Sequence, residues 1–206
     1  MFDKKEIAWT IIAILIFGFI IGFSLKPDYS PYVFLISFVI IATSVLVKKL
    51  ASYHFSVDIN HKIWEFQQYW WYKNAKFKKP VPIGLILPFF LSFFSLGSIK
   101  MMAFLQFDGK PSKTRVLKKR GAVRKSEINE SDLAFISAWG FWSLILLAII
   151  GGIFKIPALA KFSIYYGIWN LIPIGNLDGA KLFFGSLLNW GLLILVFLIS
   201  LVLVLV

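Results

Sequence analysis

The chain has 206 residues, 59% of them hydrophobic, and several stretches approach the roughly 20 consecutive apolar residues that cross a bilayer. That composition points to an all-α polytopic membrane protein and away from an ordinary soluble domain. The absence of cysteine excludes disulfides and thiolate metal sites, so any zinc would have to use His, Asp or Glu. A net charge of +12 would suggest nucleic acid in a soluble domain, but in a membrane chain the positive-inside bias explains it first.

In chain order, Lys4 and Lys5 precede the apolar run Ile7 to Leu25. It starts like a signal sequence but is too long and no Ala-x-Ala site follows it, so it reads as a retained first span (residues 7–25) with its N-terminus in the cytoplasm. Lys26 to Pro31 is a turn, and residues 32–47 return as a second span that stops at Lys48 and Lys49. Residues 59–72 read as an amphipathic interfacial helix. Ile59, Ile63, Phe66 and Trp70 form its apolar stripe, His61, Glu65, Gln68 and Tyr72 its polar side, and Trp64, Tyr69 and Trp71 add aromatics for the headgroup level.

Residues 81–107 are apolar but broken by Pro82, Gly84, Pro88, Gly97 and Lys100. A single crossing divides the 22 Lys and Arg residues 11 to 11, whereas a re-entrant dip divides them 19 to 3, leaving only Lys26, Lys155 and Lys161 opposite. The positive-inside rule favours the dip. Residues 108–132 form a basic loop suited to anionic lipid headgroups. It lacks the interleaved aromatics of a single-strand nucleic-acid surface, which argues against nucleic acid. Spans follow at 133–154, 158–174 and 187–206, about five in all besides the re-entrant hairpin, in one domain. This topology puts the N-terminus and the basic loops on the cytoplasmic side of a multi-pass protein of the cell membrane.

Inside the apolar C-terminal half stands Asn170-Leu-Ile-Pro173-Ile-Gly-Asn-Leu-Asp178-Gly179. Pro173 removes a donor, the glycines relax the backbone, and Asp178 puts an ionisable group at the end of a span, where such groups are by default functional. Asp178 could instead be an ordinary cap on the helix that follows. The pattern Asn-x-x-Pro-x-x-x-Leu-Asp-Gly resembles the second signature of the site-2 proteases, zinc enzymes of the peptidase M50 type that cut inside the membrane. The resemblance implies that Asp178 stands at the position of the third zinc ligand and that Asn170 and Pro173 lie in the unwound segment where substrate docks.

It also implies a His-Glu-x-x-His motif on the second span, two ligands and a base on one helical face. Aligned on Lys49-Leu50-Ala51, that place is taken by Ser44, Val45 and Lys48, and residues 35–49 contain neither His nor Glu. The third span keeps Ile136-Ser137 and Gly140 of the family's pattern, but Trp139 and Phe141 bring bulk to positions that are small in active members.

These residues lead to a site-2-protease-like membrane protein that has lost its catalytic groups, needs no cofactor, and binds a membrane helix or peptide near Asp178. Lys48, brought opposite Asp178, would replace the metal as counter-charge. Two alternatives stand beside this reading. One is an active zinc protease using Asp178 with His54, His61 or Glu65. The other is a basic membrane anchor or scaffold for lipid or ribosome.

Overall fold

The computed structural model describes residues 3–22, 30–68, 76–112, 119–120, 123–124 and 128–205. These are mostly helical. Seven helices are described: α1 (Lys4–Gly22), α2 (Ser30–His54), α3 (Ile83–Phe94), α4 (Glu130–Ile153), α5 (Pro157–Leu171), α6 (Asp178–Gly185) and α7 (Leu187–Leu205). Four of them, α1, α2, α4 and α7, contain runs long and apolar enough to cross a membrane. At ~1.5 Å per residue the 15 residues of α5 extend ~22 Å, short of a ~30 Å hydrocarbon core.

The central helix is α4, which packs against α2, α5, α6 and α7. Small residues on its inner face, Ala134, Ser137, Ala138, Gly140, Ala148 and Gly151, let its neighbours approach closely, as expected where packing rather than water drives helix association. Only 11% of the apolar window of α7 is buried, against 56% for α4, so α7 stands at the rim with Leu195, Ile199, Val202 and Leu203 turned outward.

Six short strands accompany the helices: β1 (Val57–Ile63), β2 (Phe66–Gln68), β3 (Lys76–Val81), β4 (Leu105–Pro111), β5 (Lys119–Arg120) and β6 (Val123–Arg124). They pair antiparallel as β1–β4, β2–β3 and β5–β6. The interfacial helix expected over 59–72 is therefore corrected: its first half is strand. Val57, Ile59, His61 and Ile63 are buried while Asp58 and Asn60 are exposed, a period of two that competes with the helical reading of the same residues. Trp64 is buried against Met101, Ala103 and Leu177. Tyr69 to Tyr72 lie outside the described residues, as do most of the basic positions between 113 and 127.

Residues 81–107 leave and return beside one point. The Gly84 amide donates to Trp64 O at 2.9 Å and the Trp64 amide donates to Phe104 O at 2.8 Å, so both limbs are pinned at the same residue. The outgoing limb is α3, with Pro88 inside it, and the returning limb, Met101 to Phe104, is extended and fully covered. Its carbonyls find protein partners: Met102 O accepts from Asn170 Nδ2 at 3.0 Å. Phe104 packs between Phe17 and Tyr166, with centroids at 5.4 and 6.4 Å. At its tip Lys100 lines a cavity together with Lys161, two residues that the charge count had set on opposite sides.

The second span also differs from expectation, because α2 continues past Lys48 and Lys49 to His54. Neither lysine is at a surface. Lys49 Nζ donates to Glu6 Oε1 and Oε2 at 2.8 and 2.6 Å and to Ile59 O at 2.8 Å. Glu6 Oε1 also accepts from the His61 amide at 3.0 Å and lies 2.9 Å from His61 Nδ1. One carboxylate thus ties α1, α2 and β1 together. Removing one member of such a buried set strands the others and costs about 3–5 kcal/mol. Glu6→Ala should lower the stability of the detergent-solubilised protein by that order, whereas Asp3→Ala, at an exposed neighbour, should change it by less than about 0.5 kcal/mol. Thermal denaturation followed by circular dichroism measures both.

Candidate functional site

The site is built where α2, α4, α6 and the β1–β4 ladder meet. On α2, Ser44, Val45 and Lys48 are buried on one face, as residues at i, i+1 and i+4 should be. The side chain of Lys48 passes over Gly140 of α4, where an added Cβ would stand 2.8 Å from Lys48 Cγ and 2.9 Å from Cδ. Glycine at 140 keeps that passage open. Beyond it, Lys48 Nζ donates to Asp178 Oδ2 at 2.6 Å, with the residues 2% and 4% exposed.

Asp178 reaches this place because the preceding helix breaks. Ile172, ahead of Pro173, takes an extended conformation that a following proline favours, and α5 ends at Leu171. Gly175 turns the chain with φ of +58°, and Gly179 packs onto the carbonyls of Asn170 and Leu171 more closely than any Cβ would allow. The new helix α6 begins at Asp178. No side-chain cap bond forms at its start, so Asp178 is not the ordinary cap that its position also suggested. Burial opposes its charged form, but the charges of Lys48 and Lys181 and the Lys48 hydrogen bond outweigh this and hold its carboxyl below the usual range.

Around the pair, Lys181 Nζ donates to Asn176 O at 2.6 Å and stands 4.2 Å from the centre of the Phe107 ring. Asn170 Nδ2 donates to Met102 O and to Tyr166 O, fixing the returning limb against α5. Asp178 Oδ1, Asn170 Oδ1 and His61 Nε2 are buried without a protein partner. Burial pushes His61 down to about 4, against the opposing pull of Glu6, so its ring is neutral at pH 7. Because a carboxylate only accepts, Nδ1 carries the proton toward Glu6 and Nε2 presents a lone pair.

Of the proposed alternative zinc ligands, His61 comes within electrostatic reach of Asp178. His54 is exposed at the end of α2 with its ring edge-on to Phe55 at 5.3 Å. Glu65 pairs with Lys62 at 3.2 Å, and His61 is held by Glu6. Among the described residues no group of three His, Cys, Asp or Glu side chains could hold a metal ion, and Asp178 Oδ2 is taken by the Lys48 ammonium.

Pro173 is exposed on the broken segment, with Ile174, Gly175 and Asn176. Trp139 is corrected: it is 56% exposed on the outer face of α4 and crowds nothing near Asp178. Phe141 is buried, but against Phe197 of α7, with centroids 6.0 Å apart. Neither aromatic fills the space beside the pair. The stem of Lys48 does. Glu6 and Lys49 were not read as parts of this region from sequence, and Gly140 only as a match to the family's pattern. A single acidic residue in the first turn of an apolar helix, opposite adjacent lysines on the next helix, was the signal that could have found Glu6 and Lys49.

Fold and site together define a helical membrane protein with two buried ion-pair clusters where its helices meet a small strand ladder. No protein-family model, curated protein or solved structure matches the chain.

Breaking the Lys48–Asp178 pair from one side should be costly and breaking it from both sides much less so. Lys48→Met or Asp178→Leu alone should each destabilise by about 3–5 kcal/mol, and the double mutant by well under the sum. Equal additivity in thermal or denaturant unfolding would mean that the two charges are not coupled. A second expectation concerns acid. His61 binds its proton less readily folded (about 4) than unfolded (6.5), so the unfolded state gains protons first and stability falls as pH drops from 6.5 toward 4. The loss is on the order of 3 kcal/mol at ~1.4 kcal/mol per pH unit. His61→Gln should flatten this part of the melting-temperature profile.

Proposed function

We propose that this chain is a catalytically inactive relative of the site-2 proteases that holds a membrane helix or peptide at the broken segment beside Asp178. In this reading it lies in the cell membrane with its N-terminus and basic loops facing the cytoplasm, the loop over 108–132 meets anionic headgroups, and residues 81–107 re-enter the bilayer without crossing it. The observation that carries the proposal is the Lys48 ammonium on Asp178 Oδ2 at 2.6 Å. The resemblance puts the metal-binding motif of the family at Ser44, Val45 and Lys48. Here the last of those positions supplies a positive charge to the carboxylate that a zinc ion would otherwise engage. A lysine cannot activate water as a metal does by lowering its pKa toward ~7.

Client binding is supported by what surrounds the pair. The broken segment leaves Pro173, Ile174 and Asn176 exposed. Next to it an apolar cavity of about 190 Å³ opens between α5 and α7, walled by Leu171, Pro173, Trp190, Ile194 and Leu198. Irregular backbone and an apolar groove side by side suit an unwinding transmembrane segment, whose side chains need apolar walls and whose freed backbone needs partners.

Two measurements test the proposal. A photo-crosslinking amino acid at Ile174 or Asn176 should capture a transmembrane protein or peptide, and one at Leu203 on the outer face of α7 should not; equal capture from Leu203 removes the docking site. Separately, Ser44→His, Val45→Glu and Lys48→His together should recreate the missing motif, with the two histidines at i and i+4 and Asp178 as third ligand. The triple mutant should hold stoichiometric zinc that is lost when Asp178→Ala is added. Absence of zinc from correctly folded triple mutant would sink the kinship with the family.

A further inference from the structure

At the opposite end of α5 from Asp178, a cavity of about 500 Å³ lies between the tip of the 81–107 segment, α5 and α7. Two cations face it. Lys100 comes from the returning limb and is half-buried, Lys161 comes from the second turn of α5, and the two lie near enough to repel each other. Lys161 Nζ stands 5.7 Å from the centre of the Tyr165 ring, which also lines the cavity. Among the described residues no carboxylate lines the space. A pair of like charges with no acidic neighbour is unfavourable unless an anion sits between them.

The rest of the wall says what kind of anion. Ile99, Ile168 and Leu201 are aliphatic, and Trp169 and Tyr165 supply amphipathic rings of the sort that line membrane interfaces. Leu201 belongs to a helix long and apolar enough to span, so one wall of the cavity is part of a candidate membrane span. A soluble phosphate would neutralise the lysines but leave the aliphatic walls wet. An amphiphile with one negative end satisfies both halves. We infer that the cavity holds the anionic headgroup of a bilayer phospholipid between Lys100 and Lys161, with one acyl chain laid over Ile168 and Leu201. This site is separate from the basic loop and from the client cleft, and it does not depend on kinship with the proteases. It would brace the tip of the 81–107 segment against α5.

Native mass spectrometry of the full chain, loaded in micelles with equal phosphatidylglycerol and phosphatidylcholine, reads the proposal directly. The wild type should retain one phosphatidylglycerol in preference. Lys100→Gln with Lys161→Gln should reduce that preference roughly thirtyfold, the effect of two cations on a headgroup. Lys155→Gln, at an exposed cation in the turn before α5, should leave it unchanged. Arginine at both positions should preserve it, and loss in the arginine variant too would mark a packing defect and overturn the charge-based assignment. Equal retention of both lipids, or unchanged preference in the double glutamine variant, would overturn it as well. Displacement of the lipid by millimolar inorganic phosphate would show a site for a soluble anion instead.

Discussion

Lys48 and Asp178 are 130 positions apart, both taken out of water, and held at 2.6 Å. Each buried charge costs several kcal/mol in lost hydration, at about the scale of a small domain's whole stability, so neither could be buried alone. The pair therefore constrains everything between its members. The stem of Lys48 must cross α4, which requires Gly140. Asp178 must arrive at the start of α6, which requires α5 to end at Leu171 and the chain to turn through Pro173 and Gly175. The broken segment, its exposed backbone and the groove beside it follow from that one electrostatic demand.

A second buried cluster does for the N-terminal half what the first does for the C-terminal half. Glu6 accepts from Lys49 and from the His61 amide, while Lys49 also donates to Ile59 O, so adjacent lysines on α2 serve opposite directions. Lys48 reaches across to α6, and Lys49 reaches back to α1 and β1. The β1–β4 ladder lies between them, with Phe107 close to both Lys48 and Lys181. Charges that would ordinarily mark where a helix leaves the membrane are here used up inside the protein. Beside these clusters His61 Nε2 and Asp178 Oδ1 are left buried without a protein partner.

The two ends of α5 carry contrasting chemistry. At one end a single acid meets a lysine. At the other, two lysines meet without an acid among the described residues, inside aliphatic and aromatic walls. The segment between Pro82 and Phe104 connects these environments, pinned by Trp64 and Asn170 at its base and open at its tip.

Much was legible in sequence because it depended on local composition or on the bilayer. Long apolar runs gave the helices, since about 20 such residues have few other fates. Pro173 and the residue before it dictated the break after α5, and the motif's lone acid was sensibly matched with a lysine because an isolated intramembrane charge needs one. What misled was periodicity where two patterns coexist. Ile59 and Ile63 are four apart, as in a helix, yet with Val57 and His61 they also alternate, and only pairing with β4, some 45 residues later, selected the strand. Charge could not be read locally either. Lys48 and Lys49 look like a span's cytoplasmic boundary until the carboxylates of Asp178 and Glu6 arrive from distant helices. Likewise the bulk of Trp139 and Phe141 says nothing about direction, and it is the rotation of α4 that turns one outward and the other toward Phe197. Sequence thus determined which segments are apolar, where the chain must break and which charges need partners. Only the tertiary structure decided who those partners are, because burial and pairing are properties of the packed whole.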